Sequence, residues 1–126
     1  MKPHAPLRLL SACLLATCAL AAQASPPPAS SAALTDCVDL SADRQIVRGG
    51  SERVFVRNGE AHYKVSFQNS CGSLTYAPRL WISTDGQDNR LCPQGSRVTT
   101  GKDSCRVSQV DTISAEEFAR RARASR

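Results

Sequence analysis

The sequence predicts a small, mainly β domain of the β-rich α+β kind: an antiparallel sheet or partly open barrel with one C-terminal helix, held by disulfides. Three observations carry that expectation. Alternating apolar and polar residues flank a turn signal at Asn58-Gly59. Four cysteines, Cys37, Cys71, Cys92 and Cys105, are spread through the body of the chain. A helix-start signature, Ser114-x-x-Glu117, opens an Ala- and Arg-rich end.

The hairpin is the clearest element and runs from Arg53 to Phe67. Asn-Gly is the strongest signal for a two-residue type I′ turn. With that turn in place, Arg57 faces Glu60, Val56 faces Ala61, Phe55 faces His62 and Val54 faces Tyr63. One face then carries Val54, Val56, Ala61, Tyr63, Val65 and Phe67. The other carries Arg53, Arg57, Glu60, His62, Lys64 and Ser66, with Phe55 as the apolar exception. Such sorting argues for a half-buried antiparallel pair. Arg57 and Glu60 are expected to form a flanking ion pair, worth a fraction of about 1 kcal/mol at an exposed site.

Shorter strands are expected at Gln45 to Val47, before a Gly49-Gly50 turn, and at Leu80 to Ser83, Arg90 to Cys92, Arg97 to Thr100 and Arg106 to Ile113. Thr84 to Asn89 reads as a loop by composition. At the chain end, Ser114 and Glu117 fit a capping box, and Ile113 and Phe118 sit where a hydrophobic staple places them. Ala115 to Ala124 is rich in good helix formers. Its arginines fall in the last turns, where they suit the helix dipole.

At 126 residues the chain has room for one domain. Residues 1–24 read as a signal peptide: Lys2 and Arg8 give the positive start, and Leu9, Leu10, Leu14, Leu15 and Leu20 the apolar run. Ala22-Gln23-Ala24 gives the small-x-small cleavage pattern. The run is too short and too Ala-rich for a membrane span of roughly 20 residues. Leu10-Ser11-Ala12-Cys13 also matches the pattern before a lipid-modified cysteine, and Leu15-Ala16-Thr17-Cys18 does so less well. The apolar run continues past both cysteines, which favours the soluble form over the lipid-anchored one. Residues 25–35, with Pro26, Pro27 and Pro28, read as a flexible linker. The β domain is expected over 36–119, and 120–126 form a basic helix end or tail.

An even number of cysteines in a small exported domain reads as a disulfide framework. Three pairings are possible. The shortest loop joins Cys92 to Cys105, which leaves Cys37 with Cys71. No CxxC pair is present, which argues against zinc or redox chemistry. Charge location narrows the function classes further. Residues 25–119 hold ten basic against 11 acidic residues, because Lys2 and Arg8 lie in the leader and Arg120, Arg121, Arg123 and Arg126 in the tail. A basic-surface case for nucleic-acid binding therefore loses most of its force.

The candidate sites are sparse. Asp85, Asp88 and Asn89 lack the EF-hand pattern and read as a solvated turn rather than a calcium site. His62 is the one histidine outside the leader, with no nucleophile or orienting partner signalled beside it. A solvated or stacking histidine is the expected role. Trp81, Tyr76 and Phe55 are candidate groove residues, although a core this poor in aromatics claims most of them for packing. Phe55, on the polar face, is expected to meet the C-terminal helix or a partner. Arg120, Arg121 and Arg123 are candidate contacts to anionic surfaces, with a soluble helix end as the plain reading.

The order of features resembles a known family. Cys37 leads into Asp43-Arg44-Gln45-Ile46-Val47. Tyr63-Lys64-Val65-Ser66-Phe67 is followed by Ser70-Cys71. Leu91-Cys92, Cys105-Arg106-Val107 and Ile113-Ser114-Ala115-Glu116-Glu117 complete the series. Over roughly residues 36 to 118 this resembles an uncharacterised bacterial family, a domain of unknown function found in short exported proteins and lipoproteins. The Gly-Asp that often follows the third cysteine in such families is missing from Cys92-Pro93-Gln94-Gly95-Ser96. The resemblance implies export and a disulfide frame, and no activity.

The expectation is therefore a periplasmic or secreted monomer that acts as a non-enzymatic binding or structural module. Its partner would be an envelope protein or polymer, without cofactor, metal or nucleic acid. Membrane contact would come only through a lipid anchor or the basic tail. The competing reading is a small hydrolase using His62.

Overall fold

A computed structural model describes residue 3 and residues 31–126 of the chain. Apart from residue 3, the expected signal peptide and the first part of the expected linker lie outside the described residues. The described chain forms an antiparallel half-barrel with one helix. Its strands are β1 (Ala32–Ala33), β2 (Val38–Asp39), β3 (Gln45–Arg48), β4 (Arg53–Asn58), β5 (Ala61–Phe67), β6 (Trp81–Thr84), β7 (Gln87–Asp88), β8 (Arg90–Leu91), β9 (Ser96–Thr99) and β10 (Ser104–Thr112). The helix is α1 (Ala115–Ala124). The main sheet runs β3-β4-β5-β10-β9-β6-β7, and β2 pairs separately with β8.

The long strand β10 is the spine. Its second half pairs with β5, and its first half pairs on the other edge with β9. A bulge at Ser108 separates the two halves and adds the twist that curls the sheet. Beyond β9 on that edge, Ala32 and Ala33 pair with Thr112 and Asp111. The end of the expected linker is thus a docked strand, whose backbone groups find partners on the edge that β9 leaves open.

The hairpin's faces sort as expected, but its register moves by two. Asn58 pairs with Ala61, Arg57 with His62, Val56 with Tyr63, Phe55 with Lys64 and Val54 with Val65. The two turn residues are Gly59 and Glu60, and Gly59 takes φ 62°, which fits a type II′ turn with glycine first. Asn58 is claimed by other work. Its side-chain oxygen accepts from the Ser41 N–H at 2.9 Å, and its amide donates to the Asp39 carbonyl at 3.0 Å. A shift of two preserves side-chain parity, so the faces survive. The expected Arg57–Glu60 ion pair does not form; Glu60 sits in the turn and Arg57 faces His62. The type I′ turn occurs instead at Asp85-Gly86, with φ 49° and 75°. It joins β6 to β7 where composition suggested a loop.

The curled face buries the main core: Val54, Val56, Tyr63, Val65 and Phe67 from the hairpin, with Leu40, Leu74, Ile82, Leu91, Val98, Val107 and Val110 around them. Burial pushes the Tyr63 phenol above its ordinary range. The opposite face of β3 and β4 is covered by α1. Val47, Phe55 and Phe118 form a second cluster there, flanked by Ile113 and Ala122. Each phenylalanine fully buried contributes roughly 1.5–3 kcal/mol. The Ser114 hydroxyl caps α1 by accepting from the Glu117 N–H at 3.1 Å.

The disulfides are Cys37–Cys92 and Cys71–Cys105, which corrects the pairing that loop length favoured. Strand register decides it. Val38 pairs with Leu91, so the next step of the same ladder sets Cys37 opposite Cys92, with Cα atoms 4.1 Å apart. Phe67 pairs with Val107, and the Gln68 N–H donates to the Arg106 carbonyl, which carries Cys71 towards Cys105. In the β9–β10 hairpin Cys105 lies opposite Val98, well past Cys92. Each bridge contributes roughly 3–4 kcal/mol by the loop-entropy model.

Candidate functional site

The half-barrel stops short of closure between β3, its terminal strand, and the segment that leads into β6. A groove of about 380 Å³ occupies that seam, lined by Ala42, Arg44, Ile46, Arg48, Pro78, Arg79, Leu80 and Trp81. Its size sits at the lower end of small-ligand sites, roughly 300–1,000 Å³. Strand alternation builds the β3 wall: Val47 turns towards α1, so Arg44, Ile46 and Arg48 turn the other way. Pro78 and the short 3₁₀ turn Gly72–Thr75 carry the chain across to the facing wall.

The electrostatics of the seam are one-sided. Arg48 spans it and donates to the Ala77 carbonyl. Arg44 donates to the Ser41 carbonyl at 3.2 Å. Among the described residues, no carboxylate lies within ion-pair distance of Arg44, Arg48 or Arg79. The nearby Asp43 is engaged elsewhere: the Ser41 hydroxyl donates to it at 2.6 Å and, with its own backbone and Arg57, holds its carboxyl below the ordinary range. The buried Nε atoms of Arg44 and Arg48 find no acceptor. Beside this charge stands Trp81, 45% exposed. A large aromatic surface beside uncompensated guanidiniums suits a ligand that is anionic and partly apolar.

Apart from Trp81, the residues picked out by sequence lie elsewhere. Phe55 is 1% exposed and packs under α1, with the Arg121 guanidinium 5.3 Å above its ring. It meets the helix as expected and has no free surface to offer a partner. His62 faces Phe118, ring centroids 5.3 Å apart, and among the described residues its side chain has no hydrogen-bond partner. Arg120 and Arg123 project from the exposed side of α1. Arg121, with Arg48 and Arg53, borders a smaller recess at the β3–β4 turn. Asp85 lies in the β6–β7 turn and Asp88 on β7, and no metal-binding cluster occurs among the described residues.

Two aromatics depart from the packing role expected of them: Trp81 and Tyr76, the latter 63% exposed with Lys102 above its ring. Sequence reasoning named Trp81 but missed Arg44, Arg48 and Arg79; Arg44 and Arg48 lie 35 and 31 residues before Arg79 in sequence and meet it only when the sheet curls. The signal available was alternation: Arg44-x-Ile46-x-Arg48 places two cations on one side of a strand.

No family model, no curated protein and no solved structure matches the chain.

Proposed function

We propose that this chain is an exported, non-enzymatic binding module of the bacterial cell envelope, and that the seam groove holds an anionic partner. The observation that carries this reading is the group of three arginines without carboxylate partners around the exposed Trp81. Arg44 and Arg48 are half-buried, and half-buried guanidiniums are ordinarily paired, because an uncompensated charge out of water is costly. An anion from outside the chain would supply the missing compensation. Two disulfides are compatible with a protein outside the cytoplasm. No helix of the described residues is long and apolar enough to cross a membrane.

The test is a calorimetric titration of the purified protein with three anionic probes: a capped acidic peptide, an oligomer of uronic acid and inorganic polyphosphate. The Arg44→Ala/Arg79→Ala variant, checked by its melting curve, serves as control. At least one probe should bind, weaken as salt rises and lose about tenfold or more in the variant. If none binds, or the variant binds as well, the reading falls. Export is tested separately by the intact mass of the protein recovered from cells: a chain starting at Ser25 supports it, and a retained Met1 overturns it.

A further inference from the structure

The edge of β3 narrows the chemistry of the partner. The Gly49 N–H donates to the Arg53 carbonyl at 2.9 Å, so Gly49 and Arg53 form a hydrogen-bonded pair. Antiparallel alternation then makes Val47–Phe55 and Gln45–Arg57 hydrogen-bonded pairs as well. Ile46 and Arg48 therefore point their peptide N–H and C=O groups away from β4. The sheet ends at β3, and among the described residues these groups have no backbone partner. The same two residues, with Arg44, present their side chains to the groove. A free strand edge and a cationic wall thus belong to one strand.

Resting on the groove reading above, we infer that the partner is an extended acidic peptide that adds to β3 as a further antiparallel strand. Addition at such an edge takes affinity from main-chain hydrogen bonds and specificity from alternate side chains. Residues directly opposite on one face approach to about 4.5–5.5 Å between Cβ atoms. Opposite Arg48, Ile46 and Arg44, the added strand would present acidic, apolar and acidic residues at alternate positions. Leu80 and Trp81 would cover the central apolar side chain, and Arg79 would add charge from the facing wall. Every paired strand of the sheet is antiparallel, which sets the direction. Short length and surface charge also protect an edge from unwanted pairing, so the experiment must separate recognition from protection.

The probe is the capped peptide Glu-Thr-Leu-Thr-Glu, titrated into the whole protein. Two versions carry one N-methyl group each. Methylation of the leucine amide, which faces Ile46 in this register, removes a donor to the sheet. Methylation of the following threonine amide, which points away, does not. The expected result is that the parent peptide binds, the leucine version loses about tenfold or more, and the threonine version stays within about threefold. Equal binding of all three overturns strand addition and leaves the anionic groove standing. Binding of uronic oligomer or polyphosphate but no peptide does the same. Failure of every anion removes both readings.

Discussion

The two faces of β3 answer the same problem differently. On one face Val47 and Phe55 are covered by α1, and Arg121 lies over the Phe55 ring. On the other, Ile46 stands between Arg44 and Arg48 opposite Trp81, with no element above the groove. Each face combines an arginine with apolar or aromatic surface. The covered face satisfies that combination from within the chain, and at the seam the groove is open. On the reading proposed above, the difference separates packing from recognition: an apolar residue on a polar face meets the chain's own helix, whereas paired cations on a terminal strand would meet a partner.

Four substitutions break or sharpen that contrast. The largest effect belongs to Phe118→Ala, which empties the covered face. A loss of about 3–5 kcal/mol in urea-denaturation stability is expected, with the groove's ligand binding retained in whatever fraction stays folded. Gly49→Ala should come next. A Cβ there would lie 2.7 Å from both a Phe55 ring carbon and the Arg53 Cγ, so Phe55 must shift. The cost expected from thermal melts is about 1–3 kcal/mol. Ser114→Ala removes the hydroxyl that caps α1 and should cost about 1 kcal/mol, read from the denaturation midpoint. The smallest stability effect is expected of Trp81→Ala, within about 0.5 kcal/mol of the parent because the ring is already half in water. The same variant should lose groove binding about tenfold or more. A large destabilisation there would mean that the seam is core, and the contrast would fail.

Local patterns were legible in the sequence, and long-range assembly was not. The sorting of Val54, Val56, Tyr63 and Val65 from Lys64 and Ser66 is a period-two signal, and the structure keeps it. So is the cap at Ser114 with the staple of Ile113 and Phe118, since helix starts are written in adjacent residues. The turn chemistry was legible but ambiguous. Asn58-Gly59 and Asp85-Gly86 carry the same signal, and the tertiary contacts of Asn58 with Asp39 and Ser41 decide which becomes type I′. Disulfide pairing depended on the β2–β8 and β5–β10 ladders, whose partners are more than 35 residues apart. The groove depended on the curl of the whole sheet, so its arginines looked like ordinary surface charge.

The order of the bridges has a consequence for how the molecule comes apart. Cys37–Cys92 and Cys71–Cys105 overlap along the chain, so every peptide bond between residues 37 and 105 is spanned by at least one of them. Bonds between residues 71 and 92, including those of Arg79 and Trp81 in the groove wall, are spanned by both. A trypsin-like protease that nicks the chain after Arg79 would leave two pieces still joined by two covalent links. The pieces would run as one species until a reductant reached the thiols.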